Sequence, residues 1–369
     1  MPIIQLQLTN LRNIRAASLT PAAGINLIFG DNGSGKTSLL EGIHVLGLAR
    51  SFRSTRHIPL ISYGEEEATV FAEIQEGERR LRLGVAKNRS GETALRLDTA
   101  PLQSAAELAH LLPLLSLNSS SFELINGPPK PRRRLLDWVA FHVEPAFLAA
   151  WRNLQHCLKQ RNMLLRRGKI SGSELAPWDL QLAQYASQID DIRQHSMAMF
   201  SEAFAGLGDL LPGVGEVKLY YQRGWHKDCE YRQALEEHLE QDLLRGYTQV
   251  GPHRADIKIS VNNGAASELL SRGQQKIVTC ALLLAQGVVF TARTGRPCTY
   301  LIDDLPSELD SQRRQQLARW LVELGAQLFI TGIELEPLLD MWPQNIARRG
   351  LARFHVEHGQ IRQEYDNNT

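Results

Sequence analysis

Hydrophobic and polar positions along this chain fall into segments of different period. Near the start, Ile3–Leu8 and Ile25–Phe29 read as two short strands, the second apolar throughout and ending on Gly30. A glycine-rich loop follows, and from Thr37 to about Leu48 the residues Leu39, Leu40, Ile43 and Leu46 recur at helical spacing. Between Thr69 and Leu97 the pattern becomes alternation: Val70, Ala72, Ile74, then Leu81, Leu83, Val85, then Ala94, Leu95, Leu97. Breaks at Glu76-Gly77-Glu78 and Arg89-Ser90-Gly91 make this an antiparallel sheet joined by hairpin turns.

Past Asn126-Gly127-Pro128-Pro129 the helical period dominates, from Arg133 to about Gly208. One apolar stripe runs through Phe147, Trp151, Leu154, Leu158 and Leu165. After the breaker Arg167-Gly168-Lys169-Ile170-Ser171-Gly172, another runs through Leu182, Tyr185, Ile189, Ile192, Ser196 and Met199. Two such stripes joined by a short turn predict an antiparallel helical hairpin, either part of an ordinary helical lobe or a short projecting arm. Strands return at Val217. A polar turn and a long apolar helix follow over Leu269–Phe290, then a buried strand at Thr299–Ile302, a helix at Arg313–Leu324 and another buried strand at Gln327–Thr331. Alternating strand and helix predicts an α/β core with a largely parallel sheet. The expected organisation is a split α/β domain, 1–110 and 251–369, around an inserted mainly helical lobe, 111–250. No internal repeat or low-complexity tract interrupts it.

Composition narrows the class without naming a function. The 369 residues are 43% hydrophobic and 22% charged, which excludes a wholly disordered or collagen-like chain. Lys and Arg number 41 against 40 Asp and Glu, so an anionic partner must be held by local basic patches. Cys157, Cys229, Cys280 and Cys298 form no CxxC pair, which argues against a zinc knuckle or a disulfide framework. The opening MPIIQLQLTN has no basic n-region followed by an apolar stretch. The longest apolar run, Ile277–Phe290, is short for a membrane span and is broken by Gln286. A cytoplasmic location is expected.

The chemistry concentrates at Gly30-Asp31-Asn32-Gly33-Ser34-Gly35-Lys36-Thr37, a match to G-x-x-x-x-G-K-[ST] between a buried strand and a helix start. Glycines let the backbone N–H groups of Asn32 to Ser38 face phosphates, and the helix dipole adds positive potential. Lys36 is placed to neutralise β- and γ-phosphate oxygens, and Thr37 to put its hydroxyl on Mg²⁺. Cys298-Thr299-Tyr300-Leu301-Ile302-Asp303-Asp304 is an apolar strand ending in two carboxylates, suited to a Mg²⁺-water ligand (Asp303) beside a group that polarises attacking water (Asp304).

Leu270-Ser271-Arg272-Gly273-Gln274-Gln275-Lys276, followed by an apolar helix and then the Asp303 strand, resembles the signature motif of ABC-type ATPases; taken alone it is equally a helix N-cap and first turn. Ser307-Glu308-Leu309-Asp310 occupies the position of their D-loop. The resemblance implies that Ser271, Gly273 and Gln274 meet the nucleotide of an opposite subunit, so that two chains sandwich two ATP molecules and dimerisation depends on ATP. Among such ATPases, Leu6-Gln7-Leu8-Thr9-Asn10-Leu11-Arg12-Asn13, the large insertion, and Thr331 where transporters carry a switch histidine resemble the DNA-repair branch that includes Rad50, SMC proteins and RecF. Ala49-Arg50-Ser51-Phe52-Arg53, the segments Gly127 to Trp138 and Gly251 to Asp256, and Leu301 to Asp310 are similar to the RecF family, and the likeness runs from Leu6 to about Ile333. It implies an ABC-type P-loop ATPase head with an antiparallel β subdomain, acting as an ATP-gated clamp on double-stranded and gapped DNA with RecR, RecO and the RecA pathway, and no membrane partner. The nucleotide-binding subunit of a transporter is the alternative. Where the family carries a Pro-Glu pair, this chain has Leu117-Asn118-Ser119-Ser120-Ser121, and no glutamine marks the metal-contacting loop, so Asn118 is the candidate there.

Residues 145–173 hold Arg152, Lys159, Arg161, Arg166, Arg167 and Lys169 with no acidic residue. That run reads as a solvated helix face or as a phosphate-binding one. Arg132, Arg133 and Arg134 at a helix start oppose the helix dipole unless an anion compensates. Arg50, Arg53 and Arg56 follow the P-loop helix and could link nucleotide to DNA. No base-reading module is present in the sequence, so contacts of Arg161, Arg166, Arg167, Arg132, Arg133 and Arg53 with DNA are expected to be to the backbone.

Overall fold

A computed structural model describes residues 1–54, 56, 58–167, 172–304, 309–342 and 350–365. Lys169 and the Ser307-Glu308 part of the D-loop-like motif lie outside the described residues. The chain divides into two units, Met1–Ser121 with Lys276–Thr369, and Phe122–Gln275.

The first unit is built on two sheets of six strands each. One is antiparallel: β1 (Ile3–Leu11), β2 (Ile14–Leu19), β4 (Glu67–Glu76), β5 (Arg79–Asn88), β6 (Thr93–Leu97) and β7 (Ala100–Pro101), in the order β2-β1-β4-β5-β6-β7. The alternation over 69–97 gives β4 and β5 one buried face, with Val70, Ala72, Ile74, Leu81, Leu83 and Val85 in the core. Strand β2 has no counterpart among the expected elements. Its only fully buried residues are at its two ends, so Ile14–Leu19 lacks the alternation that would mark it, and it forms by pairing with β1 (Leu8 opposite Ala17). The other sheet runs β15-β14-β3-β13-β12-β8, comprising β3 (Ile25–Phe29), β8 (Leu114–Leu117), β12 (Thr299–Ile302), β13 (Gln327–Gly332), β14 (Leu351–Glu357) and β15 (Gln360–Glu364). All neighbours in it are parallel except the edge pair β14–β15. Strands β12 and β13 are buried along their whole length, as a parallel sheet covered on both faces requires. Helix α1 (Lys36–Leu48) is buried between the two sheets' core residues, with Leu39, Leu40, Ile43 and Leu46 all close to 0% exposed, and α2 (Ala105–Leu111) begins at a Ser104–Glu107 capping box.

The second unit is helical, with a small antiparallel sheet, β11-β10-β9 (Gly264–Ala265, Asp256–Val261, Val217–Gln222). Its helices are α3 (Glu123–Asn126), α4 (Pro129–Val143), α5 (Phe147–Leu165), α6 (Gly172–Ala205), α7 (Tyr231–Glu237), α8 (Leu239–Arg245) and α9 (Ala266–Leu269). Helices α5 and α6 are antiparallel, since Cys157 meets Gln181 and Arg161 meets Asp179. Leu154, Leu158, Leu182, Ala186 and Ile189 pack with Tyr231 and Leu235 into one cluster, so this stretch of the hairpin is the core of the lobe. The unit boundaries fall at 121/122 and 275/276, not at 110/111 and 250/251. Strand β8 pairs with β12 and so belongs to the parallel sheet, while β10 pairs with β9 and so belongs to the helical unit.

The second boundary lies inside helix α10 (Arg272–Thr294). By length and hydropathy α10 is able to cross a bilayer, but 67% of its apolar window is buried inside the protein, as in a core helix of a soluble fold.

Candidate functional site

The parallel sheet places its chemistry at the C-terminal ends of adjacent strands, where open α/β sheets bind ligands. Strand β3 leads into the P-loop, β13 carries Thr331, and β12 leads into Asp303 and Asp304. Gly30 has φ +143° and sits so close to β14 that a Cβ there would lie 2.1 Å from the Val356 carbonyl oxygen, so only glycine passes this point. Gly35, φ +125°, precedes α1, whose first turn has neither a side-chain cap nor an acidic residue. The uncapped N–H groups and the dipole of a 13-residue helix thus face the loop's concavity.

Lys36 is 7% exposed and its Nζ donates to the carbonyls of Gly30 (2.6 Å) and Asp31 (2.9 Å). Burial lowers its pKa, against the pull of Asp304, Asp303 and Asp31. Thr37 Oγ1 lies 3.1 and 3.0 Å from the two carboxylate oxygens of Asp303. Asp303 Oδ1 also accepts from Thr331 Oγ1 at 2.7 Å, and Thr331 Oγ1 in turn accepts from the backbone N–H of Asp304 at 2.7 Å. Thr331 therefore orients the Asp303 carboxylate and holds the backbone of Asp304, which takes the left-handed conformation, φ +53°.

A pocket of about 740 Å³ opens over these groups, lined by Asn32, Gly33, Gly35, Lys36, Thr37, Ser38, Asp303, Asp304 and Thr331 of the expected region. Ser34 Oγ is buried without a hydrogen-bond partner beside Gly30, and Ser34 is not among the residues that line the pocket. Among the described residues, no group of three or more His, Cys, Asp or Glu is gathered to hold a metal ion. A divalent cation at Thr37 and Asp303 would take its remaining ligands from phosphate and water, which is how Mg²⁺ accompanies a nucleotide.

Several groups in and behind the pocket were not expected from the sequence. Asn13 Nδ2 donates to the Ser34 carbonyl at 3.0 Å while its Oδ1 accepts from Ser38 Oγ at 2.9 Å, tying the β1–β2 turn to the P-loop. Glu41 of α1 is fully buried and accepts from Arg12 Nε (2.8 Å) and Arg12 Nη2 (2.7 Å), and from the Ser51 hydroxyl. Arg12 and Ser119 line the pocket. Asn118 does not: it is 8% exposed, and its Oδ1 accepts from Ser120 N (3.0 Å) and Ser120 Oγ (2.7 Å), capping the turn after β8.

In the second unit, Ser271 and Gln274 form a reciprocal capping box at the start of α10. The Gln274 N–H donates to Ser271 Oγ at 3.3 Å, and Ser271 N donates to Gln274 Oε1 at 2.9 Å. Gln274 Nε2 donates to the Gly213 carbonyl at 2.9 Å, and Ser271 is exposed beside the half-buried Gly273.

The model of the RecF/RecN/SMC N-terminal domain family matches residues 2–347. Proteins named DNA replication and repair protein RecF from Cellvibrio japonicus and Stutzerimonas stutzeri are 45% and 46% identical to this chain over 98% of its length, covering 99% and 98% of theirs. The chain belongs to the RecF family. A solved structure described as the recombination mediator RecF–ATP in the RecFOR pathway shares the fold, with TM-score 0.86 at 24% identity, covering 99% of this chain and 98% of that one. The head of an Smc protein bound to the C-winged-helix domain of ScpA shares it more distantly, with TM-score 0.61 at 15% identity, covering 100% and 98%.

The arginines expected to meet DNA separate into two groups in this RecF-family chain. Arg161 is 0% exposed: Nε donates to Asp179 (2.6 Å), and Nη1 to Asp242 (2.6 Å) and Thr248 Oγ1 (2.8 Å). Burial opposes its charge, yet Asp179 and Asp242 raise its pKa above the ordinary guanidinium value. Arg161 is thus an internal strut and not a DNA contact. Arg132 forms a two-pronged pair with Asp256 (2.8 and 2.9 Å), and Arg133 donates to the Ala255 carbonyl (2.8 Å). These two join the Gly127–Trp138 and Gly251–Asp256 segments, a structural task that takes up the predicted contacts. Arg193, missed from the sequence, does the same by pairing with Asp137 (2.8 and 3.0 Å) and donating to the Pro252 carbonyl (2.7 Å). Arg53 is exposed, lies 3.9 Å from Glu41 and lines the P-loop pocket. Arg166 and Arg167 are exposed at the end of α5.

Proposed function

We propose that this chain is an ATP-dependent DNA-binding repair protein, in which ATP closes a homodimer on duplex DNA at single-strand gaps and weak, DNA-stimulated hydrolysis reopens it. The observation that carries the reading is the Lys36–Thr37–Asp303–Thr331 constellation at the C-terminal ends of β3, β12 and β13, all four residues lining one pocket. Lys36 and the α1 amides bind the β- and γ-phosphates, and Thr37 and Asp303 hold Mg²⁺, which supplies charge neutralisation. Asp304, its backbone held by Thr331, would hold a water on the open side of the pocket. Asp304 is a methylene shorter than a glutamate, which supports slow turnover and a switch in place of a motor.

The exposed Ser271 supports closure by a second copy. Its oxygen accepts the Gln274 N–H, and its own O–H is left to donate to a γ-phosphate of the partner. The relatives' names, a DNA replication and repair protein and a recombination mediator of the RecFOR pathway, support a role beside RecO and RecR; with the proposed clamp that role is the loading of RecA at gaps, in the cytoplasm at the nucleoid. The exposed Arg166 and Arg167 support backbone-directed DNA contact. The test is the oligomeric state by sedimentation in ATP, ADP and no nucleotide, with and without gapped duplex. A dimer that appears with ATP and persists longest on DNA is expected; a monomer under all conditions overturns the clamp.

A further inference from the structure

Segments 127–138 and 251–256 are locked together by arginines, yet none of their residues lines the nucleotide pocket. What the lock secures is the end of α3. Arg132, forked on Asp256, also donates from Nη1 to the carbonyls of Leu124 (3.2 Å) and Gly127 (2.9 Å). A Cβ at Gly127 would lie 2.5 Å from the Glu123 carbonyl oxygen, so only glycine lets the chain turn this tightly after Asn126.

Asn126, held at that end, reaches the start of α10. Its Nδ2 donates to Gln275 Oε1 at 2.6 Å, and Gln275 Nε2 donates to the Leu270 carbonyl at 3.0 Å, immediately ahead of Ser271. Gln274 secures the same turn from another direction, accepting from Ser271 N and donating to the Gly213 carbonyl. Two neighbouring glutamines thus tie the turn 270–275 to two separate parts of the helical unit. The capping box shapes the turn, and these ties aim it.

A short hydroxyl that must meet a phosphate on another molecule works only if its place is set to within about 0.5 Å. Ser271 is exposed, so packing does not hold its side chain. We infer that Asn126 and Gln275 are positioning residues for Ser271, and that the arginine-locked junction of 127–138 with 251–256 is the buttress behind them. Neither positioning residue lines the nucleotide pocket. The inference rests on the reading of Ser271 as the contact with the partner's γ-phosphate and adds to it the residues that aim that contact. It also gives the two arginine-linked motifs a task in closure, although both lie outside the pocket.

The test has two arms, both on the full chain. In the first, hydrogen–deuterium exchange without nucleotide reads the amides of 270–275. Asn126→Ala should speed exchange there about fivefold, the size of one lost hydrogen bond, with the P-loop peptide 30–38 at the parent's rate; unchanged exchange at 270–275 overturns the inference. In the second, sedimentation in ATP over a range of protein concentrations gives the dimer midpoint. A symmetric dimer uses the site twice, so Asn126→Ala should raise the midpoint about 25-fold, with monomer ATP affinity and melting temperature as in the parent. Asn126→Asp should do the same, since a carboxylate can hold Gln275 only by taking its amide away from Leu270. Gln275→Ala should cost at least as much, and Asn126→Ala added to it should change nothing further. Additive losses, or a melting temperature that falls with the dimer, would assign Asn126 to another task and overturn the inference. Asn126→Ala that dimerises like the parent while Ser271→Arg does not overturns this inference alone. Ser271→Arg that dimerises like the parent overturns the clamp reading and the inference with it.

Discussion

Lys36 illustrates how far a single residue can be read. The motif gave its chemistry because the G-x-x-x-x-G-K-[ST] pattern is local: eight consecutive residues determine where the amine points. In the structure its Nζ rests on the Gly30 and Asp31 carbonyls, inside the cradle that phosphates would fill. Lys36→Met removes the only amine among the described residues that line that pocket, while preserving length and apolar stem. Nucleotide affinity should fall at least 100-fold, measured by titration with a fluorescent ATP analogue, and an unchanged affinity would detach the P-loop from nucleotide binding. Asp303 was legible in the same local way. Thr331, which sets Asp303 and Asp304, was visible only as a residue that is not histidine, because its partners lie 28 and 27 residues away and meet it only through strand pairing. Asn13 was hidden likewise, since its role depends on the β1–β2 turn folding against the P-loop.

At the scale of elements, periodicity located most helices and strands but could not assign charged residues to surface or interior. The absence of acids between residues 145 and 173 described α5 alone; the acids that neutralise Arg161 come from α6 and α8. Arg161→Ser should therefore act on stability. It would leave Asp242, 0% exposed, without its cation, a loss on the order of 3–5 kcal/mol in urea unfolding. Arg167→Ser, at the exposed end of the same helix, should stay within about 0.5 kcal/mol of the parent. Two histidines make a further prediction. His44 of α1 and His253 of the Pro252–Arg254 turn are both lowered to about 4, first by burial, although each has a backbone carbonyl partner. The unfolded chain takes up these protons near the ordinary value of about 6.5, so it binds more protons than the native state between there and about 4. Stability present above pH 6.5 should thus fall as pH drops towards 4, by up to about 1.4 kcal/mol per pH unit for each imidazole. Urea midpoints measured from pH 7.5 to 4.5 test this, and a flat profile would mean that protonation finds compensating partners. His44→Gln should remove its share of the slope.

On the scale of the whole molecule, the order of motifs along the chain revealed more than any one of them. A P-loop, a Ser-Arg-Gly-Gln segment and a carboxylate strand in that sequence pointed to the family before the sheets were known, while the exact limits of the inserted lobe depended on long-range pairing and shifted by 11 residues at one end and 25 at the other. Ser271 stands at the second of these limits, and its two readings converge: the capping box fixes the start of α10, and the exposed hydroxyl keeps a donor for another molecule. Ser271→Arg separates them from nucleotide binding, since Ser271 contributes nothing to the pocket lined by Lys36 and Asp303. ATP affinity should remain within about twofold of the parent. Dimer closure should fail because a guanidinium replaces a short donor where a γ-phosphate and its metal must fit, and because the lost cap costs about 1 kcal/mol at the helix start. Ser271→Thr keeps both hydroxyl and cap and should restore the dimer. Sedimentation in ATP distinguishes the outcomes: an arginine variant that dimerises like the parent would place the contact between copies on another surface, and a threonine variant that also fails would assign the requirement to side-chain size and not to the hydroxyl.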